Sequence, residues 1–311
     1  MSIRGIGTAP VSFGVYGIES ASGITPLALL DAAAAAGYSA MELGPAGFFG
    51  TPEETMAAFA ARGLVPVAAY AAIRFTADDE TVAADLDRLR HTLAELASAP
   101  DGAVVILADE GTTELAHHPA RDAHDRGLAL DEAGWKRIIG VTHQAVEMAD
   151  VAGVRASFHP HIATYVESPA EVERLLAATT VGLTLDTGHF WLAGADPTDS
   201  LARFGDRVDH VHLKDVDRSV LLRAKAQRRE DFEAWWADVS TPLGSGDIDL
   251  AGFLERLGRI GYDGWLVIEQ DRQPLAGDPV EPVIALQARN RVWVEKALER
   301  LGLPPSAEYT G

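Results

Sequence analysis

The sequence predicts an α/β protein that folds as a single (β/α)8 TIM barrel. Three observations support this prediction: eight short apolar segments, helical segments between them, and a length of 311 residues, which is common for one such barrel. Strands that alternate with helices pair in parallel, and a closed barrel leaves no strand edge unpaired. An open doubly wound sheet is the alternative. It is weakened because no G-x-G-x-x-G motif follows an early strand.

The eight strand candidates are short runs rich in Val, Ile, Leu and Phe. Near-continuous apolar runs of this length are typical of parallel strands that are buried on both faces. In chain order the candidates are residues 6–15, 39–44, 64–73, 103–109, 154–161, 181–188, 208–216 and 264–271.

The helices are predicted from amphipathic spacing and from their start signals. Leu86, Leu89, Leu93 and Leu96 follow helical spacing in one of the segments between strands. A capping residue followed by proline marks a helix start, because proline at the first helical position loses no hydrogen bond. This signal occurs at Thr25-Pro26, Thr51-Pro52, Ser168-Pro169, Asp196-Pro197 and Asp278-Pro279. Glutamate three positions after Thr51 and Ser168 predicts a capping box at both sites.

We assign residues 1–311 to one domain with two departures from the repeating pattern. The segment 217–248, after the seventh strand, is long, basic at first and then aromatic. It is predicted either as a lid over the substrate pocket or as an ordinary surface helix with a tryptophan face. The tail from residue 302 is predicted to be a flexible end.

Composition excludes several classes of function. The 26 Lys+Arg residues against 46 Asp+Glu residues give a net charge of −20, which disfavours nucleic acid and anionic membranes as partners. The chain has no cysteine, which excludes disulfides, thiolate metal sites and cysteine nucleophiles. Neither a signal peptide nor a membrane-spanning segment is indicated, so we expect a soluble cytoplasmic protein with a small-molecule substrate. Its oligomeric state is left open, and a homo-oligomer is compatible with the sequence.

Polar residues that could support chemistry follow most of the predicted strands. Because strand ends converge at one mouth of a barrel, these side chains are expected to meet there. They are Glu42 after strand two, His159, His161 and Glu167 after strand five, Asp186 and His189 after strand six, His212 and Lys214 after strand seven, and Glu269 after strand eight. Such a set would suit one divalent metal ion, with Mn²⁺ or Co²⁺ expected first and Mg²⁺ or Zn²⁺ as alternatives.

Each of these residues also has a plain structural interpretation. Asp186 taken alone is more often a turn or helix cap, and His212 in an apolar alternation is more often a satisfied core histidine. Glu167 could belong to the start of the next helix, where acidic residues favour the dipole. Glu269 is harder to explain in this way, because a carboxylate so close to a buried run requires partners. We do not expect all four residues to have only these structural roles, because they follow four different strands.

Several motifs give the chain a family resemblance. They are MELGPAGFFGTPEE (41–54), HPHIATYVES (159–168), LTLDTGHFWLAGADP (183–197), HVHLKDVD (210–217), GSGDID (244–249) and GYDGWLVIEQD (261–271). From residue 6 to residue 271 the chain resembles the xylose isomerase-like barrel superfamily, a group of metal-dependent sugar isomerases and epimerases. Within that group the pattern is most similar to that of inosose (2-keto-myo-inositol) dehydratases.

The resemblance implies one divalent metal held by Glu, Asp, His and Glu from strands five to eight. Asp186, His212 and Glu269 match this pattern directly. For strand five many relatives have a glutamate inside the strand, where this chain has SFHPH. Glu167 is our choice for that ligand, with His159 or His161 as the alternatives.

The predicted reaction is removal of a proton next to a carbonyl of a polyol, inosose or keto-sugar. Candidate catalytic residues are Glu269, Glu167 and His189, and candidate substrate-binding residues are Glu42, His159, His161, His189 and Lys214. An inosose dehydratase-like lyase is the first hypothesis, and a sugar or sugar-phosphate isomerase or epimerase acting on a ketose is the alternative. An endonuclease IV-like phosphodiesterase is disfavoured by the acidic charge. A barrel that only binds is disfavoured by the joint presence of the three matching ligands.

Overall fold

Eight parallel strands close into a barrel, as the sequence predicts. The computed structural model describes residues 3–17, 23–100, 102–121 and 127–306. Around the barrel the strands follow the order β1-β10-β7-β6-β5-β4-β3-β2, and a separate two-stranded sheet pairs β8 with β9. The strands are β1 Gly5–Thr8, β2 Ala40–Leu43, β3 Val65–Ile73, β4 Val104–Asp109, β5 Arg155–His159, β6 Gly182–Asp186, β7 Val208–Leu213, β8 Asp215–Val216, β9 Ser240–Thr241 and β10 Trp265–Ile268.

Helices surround the barrel and connect its strands. They are α1 Pro26–Ala35, α2 Pro52–Ala60, α3 Asp79–Leu96, α4 Thr113–His117, α5 Glu132–Ala152, α6 Pro169–Ala178, α7 Thr187–Leu192, α8 Pro197–Phe204, α9 Arg218–Ala226, α10 Phe232–Trp236, α11 Leu250–Arg259 and α12 Glu281–Leu301. Two short 3₁₀ helices, Pro10–Phe13 and Gly205–Arg207, complete the described elements.

All eight predicted strands overlap a barrel strand, and each barrel strand is shorter than its predicted range. The first ends at Thr8, because the chain turns into the 3₁₀ helix at Pro10 instead of continuing to residue 15. The fifth ends at His159. His161 therefore lies in the loop that follows.

Four of the five predicted helix starts are confirmed. The side chains of Thr25, Thr51, Ser168 and Asp196 each accept a hydrogen bond from a free amide of the first turn, and both capping boxes form. The start predicted at residues 278–279 is wrong, because α12 begins at Glu281 and its first turn carries the next proline of the sequence, at position 282.

Side chains on the barrel strands alternate between two environments. Val211 and Leu213 of β7, like Leu183 and Leu185 of β6, pack in the large apolar cluster between the barrel and the helices. Because neighbouring residues of a strand face opposite sides, the positions between them face the interior of the barrel. The polar residues of these two strands that occupy such positions are Thr184, Asp186, His210 and His212.

The segment 217–248 begins directly after β8, and β9 within it pairs back onto β8. Two antiparallel pairs, Asp215 with Thr241 and Val216 with Ser240, close its base. Its carboxyl-terminal turn is held by Asp215, which accepts hydrogen bonds from the amides of Gly244 (2.9 Å), Gly246 (2.9 Å), Ile248 (3.2 Å) and Val216 (3.0 Å). The two glycines of the GSGDID motif therefore belong to a turn built on one buried carboxylate.

Replacing Asp215 with alanine is expected to lower the free energy of unfolding by about 3 kcal/mol, because buried amide donors lose a charged acceptor. Urea unfolding followed by circular dichroism measures this. Asp217→Ala is the matched control, because it removes only the cap of α9 and should cost about 1 kcal/mol. Equal losses in the two variants would contradict the role of Asp215.

The beginning of the predicted tail is attached to the barrel. Leu303 lies against Gly258, and the amide of Ser306 donates to the carbonyl of Ile3 at 2.8 Å. The remainder of the predicted tail, 307–311, lies outside the described residues, as do residues 122–126 before α5. Among the helices of the described ranges, none combines the length and the apolarity that crossing a membrane requires.

Candidate metal centre

Four buried side chains meet at the carboxyl mouth of the barrel. His159, Asp186 and His212 lie on β5, β6 and β7, and Glu269 directly follows β10. Each offers one ligand atom, and these four atoms all lie within 4.8 Å of one another. The alternation of strand residues directs these side chains inward, so consecutive strands bring two imidazoles and two carboxylates together.

The two carboxylate oxygens of Asp186 make different contacts. Oδ1 accepts hydrogen bonds from the amides of Gly188 (2.8 Å) and His189 (3.0 Å), which caps α7. Oδ2 faces the cluster, 3.5 Å from His159 Nε2 and 3.6 Å from His212 Nδ1. Asp186 is therefore both the helix cap and the inward-facing carboxylate that the sequence offered as alternatives.

Glu42 fixes the orientation of the His212 ring by a hydrogen bond to its Nε2. Its Oε1 accepts hydrogen bonds from His210 Nε2 at 2.7 Å and from His212 Nε2 at 2.8 Å. Burial acts to raise the pKa of Glu42, but the two histidines lower it below its usual value, so Glu42 is ionised and the ring nitrogens donate. The other ring nitrogen of His212 is directed into the cluster. Glu42 thus supports a candidate ligand, although it also lines the cavity as predicted.

The donor set fits a divalent cation. Within the described residues, Nδ1 of His212 is buried and has no aligned hydrogen-bond partner, although Glu269 Oε2 lies 3.1 Å away. Burial acts to lower the pKa of His212, whereas Glu269 and Glu42 raise it well above its usual value. A nitrogen that faces two carboxylates without a hydrogen bond is an arrangement that a metal ion between these groups would satisfy.

Lys214 supplies the positive charge of the cluster. Its ammonium lies 2.8 Å from Asp271, 3.1 Å from Glu269 and 3.5 Å from Asp186. Burial acts to lower the pKa of Lys214, but these three carboxylates raise it well above its usual value. Lys214 is therefore a fixed cation beside the candidate ligands.

A column of rings covers one side of the cluster. The imidazole of His161 lies 3.7 Å from that of His189, and Trp236 stacks on His189 at 5.3 Å with an angle of 12° between the rings. Burial lowers the pKa of His161 to about 3 and that of His189 well below its usual value, so both rings are neutral. His189 Nε2 lies 3.3 Å from the ammonium of Lys214.

Glu167 lies apart from the four side chains, contrary to the sequence-based choice. Its carboxylate pairs with Arg121 at 2.7 Å and accepts hydrogen bonds from the amides of Ala120, Arg121 and Ala163. The side chains of Arg121 and Glu167 are 3% and 1% exposed. Because these contacts occupy both of its carboxylate oxygens, Glu167 joins two loops. His159, which was the alternative to Glu167, is the residue of the β5 region that belongs to the four-residue cluster.

A cavity of about 470 Å³ opens above the cluster. The predicted residues that line it are Glu42, His159, His161, His212, Lys214 and Glu269. The sequence did not single out Tyr70 or His210. Tyr70 is 43% exposed and lies edge-on to His159 in the cavity wall; it carried no signal, being one aromatic residue in an apolar strand. His210 could have been found from its period-two spacing with His212.

The closed barrel and the four buried side chains at its carboxyl mouth define a TIM-barrel protein with a candidate metal site. Residues 30–295 match the family described as "Xylose isomerase-like TIM barrel". The chain belongs to this family.

Two relatives illustrate the similarity in sequence. An inosose dehydratase of Geobacillus thermodenitrificans is 30% identical over 194 residues, which cover 61% of this chain and 64% of that protein. The rhizopine catabolism protein MocC of Rhizobium meliloti is 38% identical over 142 residues, covering 45% of this chain and 43% of that protein. The chain thus spans less than two thirds of the length of either.

Solved structures share the fold across nearly the whole chain. The IOLI protein, solved with a bound zinc atom, has a TM-score of 0.70 at 15% identity and covers 96% of this chain and 99% of that chain. An L-ribulose 3-epimerase has a TM-score of 0.70 at 19% identity, with 96% of each chain covered. At these identities the comparison supports the barrel fold alone.

Proposed function

We propose that this chain is a divalent-metal-dependent enzyme that removes a proton from the carbon next to a carbonyl of an inosose or keto-sugar, with inosose dehydration as its reaction. The observation that carries the proposal is the convergence of four buried ligand atoms within 4.8 Å at the barrel mouth. The similarity to inosose dehydratases supports the choice of reaction.

His159, Asp186, His212 and Glu269 would hold the metal. Two imidazoles in place of one make the donor set richer in nitrogen than the sequence predicted, which favours Zn²⁺, Co²⁺ or Mn²⁺ over Mg²⁺. A divalent ion bound there supplies Lewis-acid polarisation of the substrate carbonyl.

Glu269 is the best placed base. It lines the cavity, whereas the oxygens of Asp186 are directed to α7 and to the cluster. Burial acts to raise the pKa of Glu269, but His212 and Lys214 lower it well below its usual value, so its carboxylate is ionised. Lys214 stabilises the negative charge that develops on the substrate as the carbon–hydrogen bond breaks.

Dehydration also requires a proton for the departing hydroxyl. The electron pair of the broken carbon–hydrogen bond forms the new double bond, and the β-hydroxyl takes a proton from the ammonium of Lys214 and leaves as water. His189 and Lys214 lie side by side to bind that hydroxyl. The phenol of Tyr70 is protonated at neutral pH, so it can donate a hydrogen bond to another substrate hydroxyl.

The segment 217–248 would act as a cover for this site. Trp236, on α10, both lines the cavity and stacks on His189. On its other face Trp236 stacks with Phe232 at 5.2 Å, so the ring is held from two sides. This arrangement favours the lid over the ordinary surface helix.

The metal-loaded protein, incubated with 2-keto-myo-inositol in deuterated water, is expected to lose water from the substrate and to produce the absorbance of a dione. A panel of ketohexoses tests the alternative, because an epimerase or isomerase would place deuterium in a product of unchanged oxidation level. Asp186→Asn serves as the inactive control. If no substrate of the panel exchanges a proton under Mn²⁺, Co²⁺ or Zn²⁺, the proposed reaction is wrong.

A further inference from the structure

The strand that should support Glu269 on one side ends too early to do so. Thr8 of β1 is paired with Ile268 of β10, and this is the last pair between the two strands. Continued by one residue, the register would place Ala9 opposite Glu269. The carbonyl of Ala9 instead accepts a hydrogen bond from the amide of Ser12 at 3.1 Å, within the 3₁₀ turn. The carbonyl of Ala9 is therefore not the acceptor for the amide of Gln270, the residue that follows Glu269.

The hydroxyl of Ser12 bonds to both of those peptide groups. Ser12 Oγ accepts a hydrogen bond from the amide of Gln270 at 3.0 Å and donates one to the carbonyl of Ile268 at 3.3 Å. In a parallel ladder, the backbone of one residue bonds to the two residues that flank its partner on the next strand. Its amide donates to the carbonyl of the preceding residue, and its carbonyl accepts from the amide of the following one. The fully buried hydroxyl of Ser12 thus replaces the missing ladder residue at the amide of Gln270. At the carbonyl of Ile268 it acts together with the hydroxyl of Thr8, which donates to the same oxygen at 3.1 Å.

We propose that Ser12 is a positioning residue for Glu269 and thereby sets the affinity of the metal centre. On the opposite side the amide of Glu269 donates to the carbonyl of Leu213 at 3.1 Å. With Ser12 in place, the backbone around Glu269 is held on one side by β7 and on the other by the 3₁₀ helix that follows β1. Without it the amide of Gln270 loses its partner, and the carboxylate of Glu269 becomes free to shift. The inference rests on the metal role assigned to Glu269 in the proposed function.

The side chain of Gln270 extends the same support. Its Oε1 accepts a hydrogen bond from Asn290 of α12 at 2.9 Å, and Asn290 Oδ1 accepts one from the amide of Leu243 at 3.1 Å. A chain of buried hydrogen bonds therefore joins Ser12, the residue after Glu269, α12 and the turn that ends the segment 217–248. Ser12 is the member of this chain that touches both neighbours of Glu269.

The test is Ser12→Ala with Co²⁺ as the probe. The variant is expected to bind Co²⁺ at least roughly 10-fold more weakly, as the loss of support for a metal ligand does elsewhere. Its visible absorption spectrum should also change, because the geometry around the ion changes. Thr55→Ala is the matched control, since Thr55 is equally buried and donates to the carbonyl of Thr51 at 2.9 Å in α2. The control should lose stability and keep the wild-type affinity and spectrum.

Amide hydrogen exchange in the unmodified protein provides a second measurement that does not depend on the variant folding. The amide of Gln270 is expected to be protected to the same degree as that of Glu269, although Gln270 lies beyond β10. Unprotected exchange at Gln270, or a Ser12→Ala variant with wild-type Co²⁺ affinity and spectrum, would overturn the proposal. Weakened metal binding in Ser12→Ala, in a protein that exchanges no substrate proton, would uphold Ser12 and reject only the reaction.

Discussion

Replacing Asp186 with asparagine is expected to weaken divalent-metal binding by at least ~100-fold, beyond the 10–100-fold typical of residues that only support a ligand. The amide oxygen of asparagine can still cap α7 through Gly188 and His189, as Oδ1 does now. The amide nitrogen would replace Oδ2, which faces His159 and His212. The amide nitrogen has no free lone pair with which to ligate the ion, so proton exchange from the substrate should disappear as well.

Asp196→Asn separates this effect from a change of the helix cap. Asp196 is exposed and caps α8 by accepting from the amide of Thr198 at 2.7 Å, far from any candidate ligand. Metal content and thermal unfolding of both variants are measured side by side. The expected outcome is a near-native fold in both and bound metal only in Asp196→Asn. Retention of metal by Asp186→Asn would remove Asp186 from the centre.

His159 and Glu167 are expected to behave in opposite ways when they are changed. His159→Ala should lose metal affinity by at least ~100-fold, because it removes one of two imidazole ligands and leaves a space that water can fill. Glu167→Gln should retain metal but lower the free energy of unfolding by about 2 kcal/mol, because the buried guanidinium of Arg121 loses one of its two carboxylate partners and keeps Glu171.

Chelator competition and urea unfolding on the same two variants distinguish the assignments. Loss of affinity in Glu167→Gln, with wild-type affinity in His159→Ala, would restore the ligand that the family pattern suggests. The structure predicts the reverse. Tyr70→Phe is a useful companion because it keeps the ring against His159 and removes only the hydroxyl, so metal affinity should not change.

Apolar segments that alternate with helical segments made most of the fold predictable, and polar residues at the strand ends made three of the four candidate ligands predictable. In each of the last strands an apolar residue facing the helices precedes a polar residue facing inward, as Leu185 precedes Asp186 and Ile268 precedes Glu269. The same reading applied to Phe158 and His159 would have placed His159 in the cluster. The preference for a glutamate, taken from the family pattern, directed the choice to the loop.

The contacts of Glu167 could not be found from sequence. Its partner Arg121 lies in a different loop, and no local pattern connects a carboxylate after β5 with a guanidinium after α4. The role of Ser12 was hidden for a related reason, because it depends on where β1 ends rather than on any motif. The roles of Glu167 and Ser12 both depend on tertiary contacts made by loops. The amphipathic pattern of strands and helices does not predict such contacts.

With a metal bound, the two oxygens of Asp186 would link the start of α7 to the metal centre thermodynamically. If bound metal strengthens the cap of α7, a change that strengthens the cap would raise metal affinity by the same factor. His189 donates one of the capping amides, so its ring and the tryptophan stacked on it would report whether the centre is loaded. Metal occupancy and the ordering of the His189 and Trp236 rings would then be two parts of one coupled equilibrium.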